Sequence, residues 1–303
     1  MYPSILLPLD GSEFSADALP LAKRLASELG AEVHLVHVIR PALDVDFKAP
    51  QEDMEWKARV REGGEDDLEE IASSLEESGV RTTTAVLEGR TVPALDQYLK
   101  EQGISLVVMT THGSGGLKRW WLGSVADGLL RAGSADLLLV RPWDDTEDRS
   151  TSAPRFEHVL VPLDGSSDAE RALGPARELT KAMGARLTCL TVVPRPAELT
   201  SIYGMPGVRI EGEGYRMRRE EADDYLSGVV AQEGEPPPEA MTIEHSNAAE
   251  GIMEGARKVG ADLVVLSSHG RGGLERTVIG SVADKVVRGS TLPVLVVRRE
   301  DEA

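Results

Sequence analysis

Two runs of small and polar residues hold the residue types from which an anion cradle is made. Thr110-Thr111-His112-Gly113-Ser114-Gly115-Gly116 leads on to Gly123-Ser124. Ser267-Ser268-His269-Gly270-Arg271-Gly272-Gly273 leads on to Gly280-Ser281. Glycines let a backbone approach a ligand closely, and the first amides of a helix have no intrahelical partner. A strand, such a loop and a helix start together bind phosphate. This reading gives a pyrophosphate to Gly113, Gly116 and the amides of Gly123 and Ser124, and to their counterparts Gly270, Gly273, Gly280 and Ser281. The Ser124 hydroxyl then donates to phosphate or caps its helix. A tight turn with an ordinary serine cap is the plain alternative. Neither run is a Walker A loop or a GxGxxG fingerprint.

A second pair of residues is placed to work with these loops. Asp10 and Asp164 each sit in a Pro-Leu-Asp-Gly-Ser string directly after an apolar run. A carboxylate there accepts from a ribose hydroxyl or a base amine, or else closes an Asx turn or caps the next helix. His112 and His269 either orient phosphate or act as hydrogen-bonded turn residues. No nucleophile or carboxylate partner stands beside them, so a general-base role is disfavoured. Arg271 replaces Ser114 and is the better phosphate partner, or a solvated loop arginine. It makes the second copy the stronger candidate. His34 and His37 are three apart on an expected strand and face opposite sides, so they do not chelate together. No catalytic residue and no metal ligand is assigned.

These residues must be positioned by two copies of one domain. Asp10 recurs as Asp164 and His112 as His269, at offsets of 154 and 157. The length of 303 residues suits two domains. The expected boundaries are 1–142, a polar, proline-bounded linker over 143–155, and 156–303. In the first copy, strands are expected over 4–9, 32–39, 81–87, 106–109 and 135–141. Helices are expected over 15–29, 53–78, 93–102 and 124–132. The second copy repeats the strands near 158–163, 186–193, 241–245, 263–267 and 293–298, with a long connection over 194–214. Such alternation requires α/β architecture: two tandem, doubly wound, mostly parallel five-stranded sheets flanked by helices. Ligands then sit outside the carboxyl ends of the strands, where strand order reverses.

Composition narrows the partners. Lys and Arg number 33 against 51 Asp and Glu, a net charge of −18. That balance argues against nucleic acid and against an anionic membrane surface. The lone Cys189 lies in an apolar run and reads as an inert core thiol. No stretch reaches transmembrane length, and residues 1–10 lack the basic start of a signal peptide. A cytoplasmic location is the expectation.

At these residues the chain resembles a tandem universal stress protein of the nucleotide-binding branch. The likeness rests on the Pro-x-Asp-Gly-Ser turns, the His37-Val38 pair, the strand-loop-helix motifs and the closing strands. That branch has Gly-x-x-Gly, nine residues, then Gly-Ser/Thr. Gly113, residues 114–122 and Gly123-Ser124 fit, as do Gly270, residues 271–279 and Gly280-Ser281, while Thr110 and Ser267 occupy the places of the first glycine. The resemblance implies an adenine nucleotide alpha hydrolase-like fold holding ATP, with Mg as a possible companion, in each half. It places Asp10 and Asp164 near the adenosine and the backbone about Val38 and Val192 at the adenine edge. Leu9, Leu163, Val125 and Val282 complete the candidate set. It further implies that the halves pair through their last strands and that whole chains form a homodimer. The leading expectation is an ATP-binding stress-response protein with a sensing or regulatory role. A nucleotide-free interaction scaffold and a slow ATP hydrolase are the alternatives.

Overall fold

A computed structural model describes residues 2–39, 50–111, 122–141, 155–195, 213–234, 236–270 and 279–298. The chain divides into two compact units, Met1–Arg155 and Phe156–Ala303. The linker stretch 143–154 lies outside the described residues.

The first unit holds β1 (Ser4–Leu9), α1 (Glu13–Ala16), α2 (Leu19–Leu29), β2 (Glu32–Ile39), α3 (Pro50–Glu76), β3 (Thr82–Glu88), α4 (Thr91–Gln102), β4 (Leu106–Thr110), α5 (Ser124–Ala132) and β5 (Asp136–Val140). Its strand order is β3-β2-β1-β4-β5, and every adjacent pair is parallel. The second unit holds β6 (His158–Pro162), α6 (Ser167–Glu170), α7 (Leu173–Met183), β7 (Arg186–Pro194), α8 (Glu213–Gln232), β8 (Glu239–His245), α9 (Ala248–Val259), β9 (Leu263–Ser267), α10 (Ser281–Gly289) and β10 (Val294–Val297). Its order is the same, β8-β7-β6-β9-β10, again all parallel.

Each residue of β4, β5, β9 and β10 is buried, and apart from Thr110, Asp136 and Ser267 at their ends these segments are apolar. Cys189 is wholly buried in β7, and burial pushes its thiol up to about 12, as an inert core position requires.

One expected helix is divided. Residues 15–29 read as continuous, yet α1 ends at Ala16 and α2 starts at Leu19. Pro20 lies in the first turn of α2, where its missing amide costs nothing. Inside a longer helix the same ring would collide with the preceding turn. The second unit breaks similarly between α6 and α7. The other expected elements are present with ends moved by a few residues.

Candidate functional site

In both sheets the order reverses beside the first strand. β1 lies between β2 and β4, and β6 between β7 and β9. β1 pairs with β2 along its whole length, from Ser4 to Leu9. Its ladder with β4 holds only Ile5↔Leu106 and Leu6↔Val107. β6 and β9 likewise pair only at Val159↔Leu263 and Leu160↔Val264. Beyond these residues the two strands run on unpaired with each other, so the carboxyl ends flank a crevice at the switch point.

One wall of the crevice is the acidic turn. Leu9 and Leu163 are buried at its start. Asp10 Oδ1 accepts from the Ser12 amide at 3.0 Å and from its hydroxyl at 2.5 Å. Asp164 Oδ1 accepts from the Ser166 amide and hydroxyl at 3.0 and 2.6 Å. Both carboxylates therefore close Asx turns with one oxygen. The residues that hold them, Ser12 and Ser166, were absent from the expected site. Their signal was the Asp-Gly-Ser string itself, twice repeated. Ser166 also caps α6, accepting from the Ala169 amide at 3.2 Å.

The other wall is the end of β4 or β9 and the helix that follows. Thr110 and Thr111 are buried, as are Ser267 and Ser268. The Gly123 amide donates to the Thr111 carbonyl at 2.7 Å, and the Gly280 amide to the Ser268 carbonyl at 2.7 Å. These two amides thus close the base of the loop. The cap residues of α5 and α10 are Gly123 and Gly280, and neither cap has a side-chain hydrogen bond. Ser124 and Ser281 are the first helical residues, not the caps. Both are exposed, with Val125 and Val282 beside them in the first turn. Their backbone amides belong to the group that helix geometry leaves without an intrahelical acceptor. The Asp127–Arg131 and Asp284–Arg288 pairs, at 2.9 and 2.8 Å, are i,i+4 bridges along the helices. That part of the repeated string is explained by helix structure.

The two walls meet at Gly270. A Cβ built on this residue would lie 2.6 Å from Asp164 Oδ2, a distance no real side chain tolerates. The loop glycine is bare because the turn's carboxylate occupies that space. A Cβ at Gly280 would approach the Ser268 carbonyl at 3.3 Å. His269 Nδ1 is 3.0 Å from the Ser268 hydroxyl, while its buried Nε2 has no hydrogen-bond partner among the described residues. Val38 and Val192 lie at the carboxyl ends of β2 and β7, half-buried. The Val192 side chain packs on Gly251 of α9, where an added Cβ would be 2.7 Å away. His112, Gly113, Gly116, Arg271 and Gly273 lie outside the described residues.

The sequence pattern of the universal stress protein family matches residues 1–141 and again 155–298. The chain belongs to the universal stress protein family. It is 29% identical to a universal stress protein of Mycolicibacterium smegmatis, over 97% of this chain and 96% of that one. It is also 32% identical to a universal stress protein of Bacillus subtilis, over 46% of this chain and 100% of that one. A solved universal stress protein from Archaeoglobus fulgidus shares the fold, at TM-score 0.72 and 23% identity, covering 99% of this chain and 100% of that one. This chain is a tandem universal stress protein, with one repeat in each compact unit.

Proposed function

We propose that each half of this universal stress protein binds an adenine nucleotide, ATP, in the crevice between its first and fourth strands. Occupancy would serve sensing or regulation in the cytoplasm, as a homodimer. The observation that carries the reading is the seat of Asp164 Oδ2 on the bare Cα of Gly270. It joins an acceptor for a ribose or base to a loop that leads into a helix start. The buried Nε2 of His269, without a hydrogen-bond partner among the described residues, adds a polar atom beside Gly270. Among the described residues no trio of His, Cys, Asp or Glu is gathered to hold a metal. A Mg ion accompanying the ligand would be held chiefly by phosphate oxygens. A helix start contributes only about 0.3–1 kcal/mol to an anion, so affinity must be shared among several donors and base burial.

A nucleotide-free scaffold is the second reading. Its support is that the Gly123 and Gly280 amides are already bonded to backbone carbonyls, which shortens the list of phosphate donors. Calorimetric titration with ATP separates the two. The unaltered chain should bind two equivalents, Asp10→Ala and Asp164→Ala one tight equivalent each, and the double variant none in the same range. Identical isotherms for the unaltered chain and the double variant would exclude the proposed contact.

A further inference from the structure

Just behind each acidic turn, a polar side chain reaches across from the neighbouring strand. His37 Nδ1 lies 2.9 Å from the Leu9 carbonyl oxygen. A carbonyl only accepts, so Nδ1 carries the proton. In the second half the Thr191 hydroxyl donates to the Leu163 carbonyl at 3.1 Å. The carbonyls belong to the peptides that link Leu9 to Asp10 and Leu163 to Asp164. Each donor therefore fixes the peptide plane from which a site carboxylate projects.

The two copies achieve this with different side chains, and the packing has adjusted to each. Arg61 of α3 and Arg219 of α8 are equivalent, since they bridge Glu88 and Glu244 at 3.2 and 2.7 Å. Counting on from them, Gly64 corresponds to Ala222, and Leu68 to Leu226, both leucines being buried. A Cβ on Gly64 would lie 3.3 Å from the His37 ring, a tight approach, so the large imidazole favours glycine on the covering helix. The smaller Thr191 stands opposite the segment that carries Ala222, which is buried against Val193 on the same face of β7. A His/Gly pair in one half has been exchanged for a Thr/Ala pair in the other, and the bond to the carbonyl persists. A purely apolar filler would serve packing equally well, so the retained feature is the donor.

We infer that His37 and Thr191 are positioning residues of the two nucleotide sites, orienting Asp10 and Asp164 through the preceding carbonyl. This rests on the nucleotide reading above. Asp164→Ala and Asp10→Ala backgrounds isolate the first and second sites. In the second site, Thr191→Val removes the donor at nearly constant shape. In the first, His37→Val removes it, and His37→Thr with Gly64→Ala imports the other half's pair. One net hydrogen bond corresponds to about a three- to tenfold loss. ATP titration should show that loss for both valine variants, recovery within about twofold for the Thr/Ala import, and ligand-free melting temperatures alike for His37→Val and the import. Unchanged ATP affinity in both valine variants would overturn the inference, as would an import as weak as His37→Val at matched melting temperature. If the unaltered chain binds no ATP, the nucleotide reading itself fails, and this inference with it.

Discussion

A side chain at position 270 has nowhere to go without moving Asp164. Gly270→Ala should therefore displace the carboxylate and weaken the second site about tenfold, or about 1.4 kcal/mol. The first site is untouched, so a titration should resolve one unchanged and one weakened equivalent. Two buried histidines make a different residue-scale prediction. His34 is buried and shares a hydrogen bond with Tyr98 at 3.0 Å. His158 donates from Nδ1 to the Val259 carbonyl at 2.9 Å and accepts from the Thr188 hydroxyl at 2.7 Å. Burial lowers both imidazoles from the ordinary 6.5, opposed by Glu32 for the first; for the second Arg186 adds to the lowering, while the Val259 carbonyl, Glu239 and Asp262 oppose it. Each group binds its proton more readily when unfolded. Stability is then full above about pH 6.5 and is lost as pH falls below it. Urea midpoints should drop between pH 7.5 and 5.5, and a His34→Gln, His158→Gln double variant should flatten that dependence. At this scale the sequence was partly legible. Asp10, Asp164 and the glycines stood out as repeated strings. The His37 bond to Leu9 spans two strands, and neither partner is unusual by itself, so only the fold revealed it.

Helix ends and helix contacts show how the two copies diverged while keeping one architecture. Asn247 caps α9, its side chain accepting from the Ala249 and Glu250 amides at 3.0 and 3.4 Å. Its counterpart Arg90 begins α4 without a side-chain cap. Asn247→Ala should cost about 1 kcal/mol, and Arg90→Asn should stabilise by a similar or smaller amount, both measurable by denaturant unfolding. Gly128 in α5 faces Val92 of α4, and an added Cβ would lie 2.6 Å from a Val92 methyl. Alanine ordinarily improves a helix interior by up to about 1 kcal/mol. Here overpacking outweighs that gain, and Gly128→Ala should destabilise by about 1–2 kcal/mol. In the second half the equivalent residues are Lys285 and the smaller Ala249, so the collision is relieved. The strands were the most legible elements, because burial on both faces leaves apolar runs four to six residues long. The break at Pro20 and the glycine caps at Gly123 and Gly280 were not. A proline near a helix start and a serine after a glycine each fit two local geometries, and only the tertiary setting selects one.

For the whole molecule, duplication is the organising fact. Two compact units carry the same strand order, the same acidic turn and the same loop base. The family pattern matches each of them. Among the described residues no helix is long and apolar enough to cross a membrane. Fold class and repeat were readable because both copies spell the same succession of elements. The chemistry of the loops was less so, since the glycines at 113, 115 and 116 and at 272 and 273 each fit several backbone courses. The central claim is that both crevices hold adenine nucleotide. The most direct test is to purify the unaltered chain without added ligand, denature it, and identify and count the small molecules released. Adenine nucleotide approaching two equivalents per chain is predicted. No adenine nucleotide, together with no thermal shift in millimolar ATP, would contradict the account, since a ligand at about 100 times its dissociation constant adds about 2.7 kcal/mol.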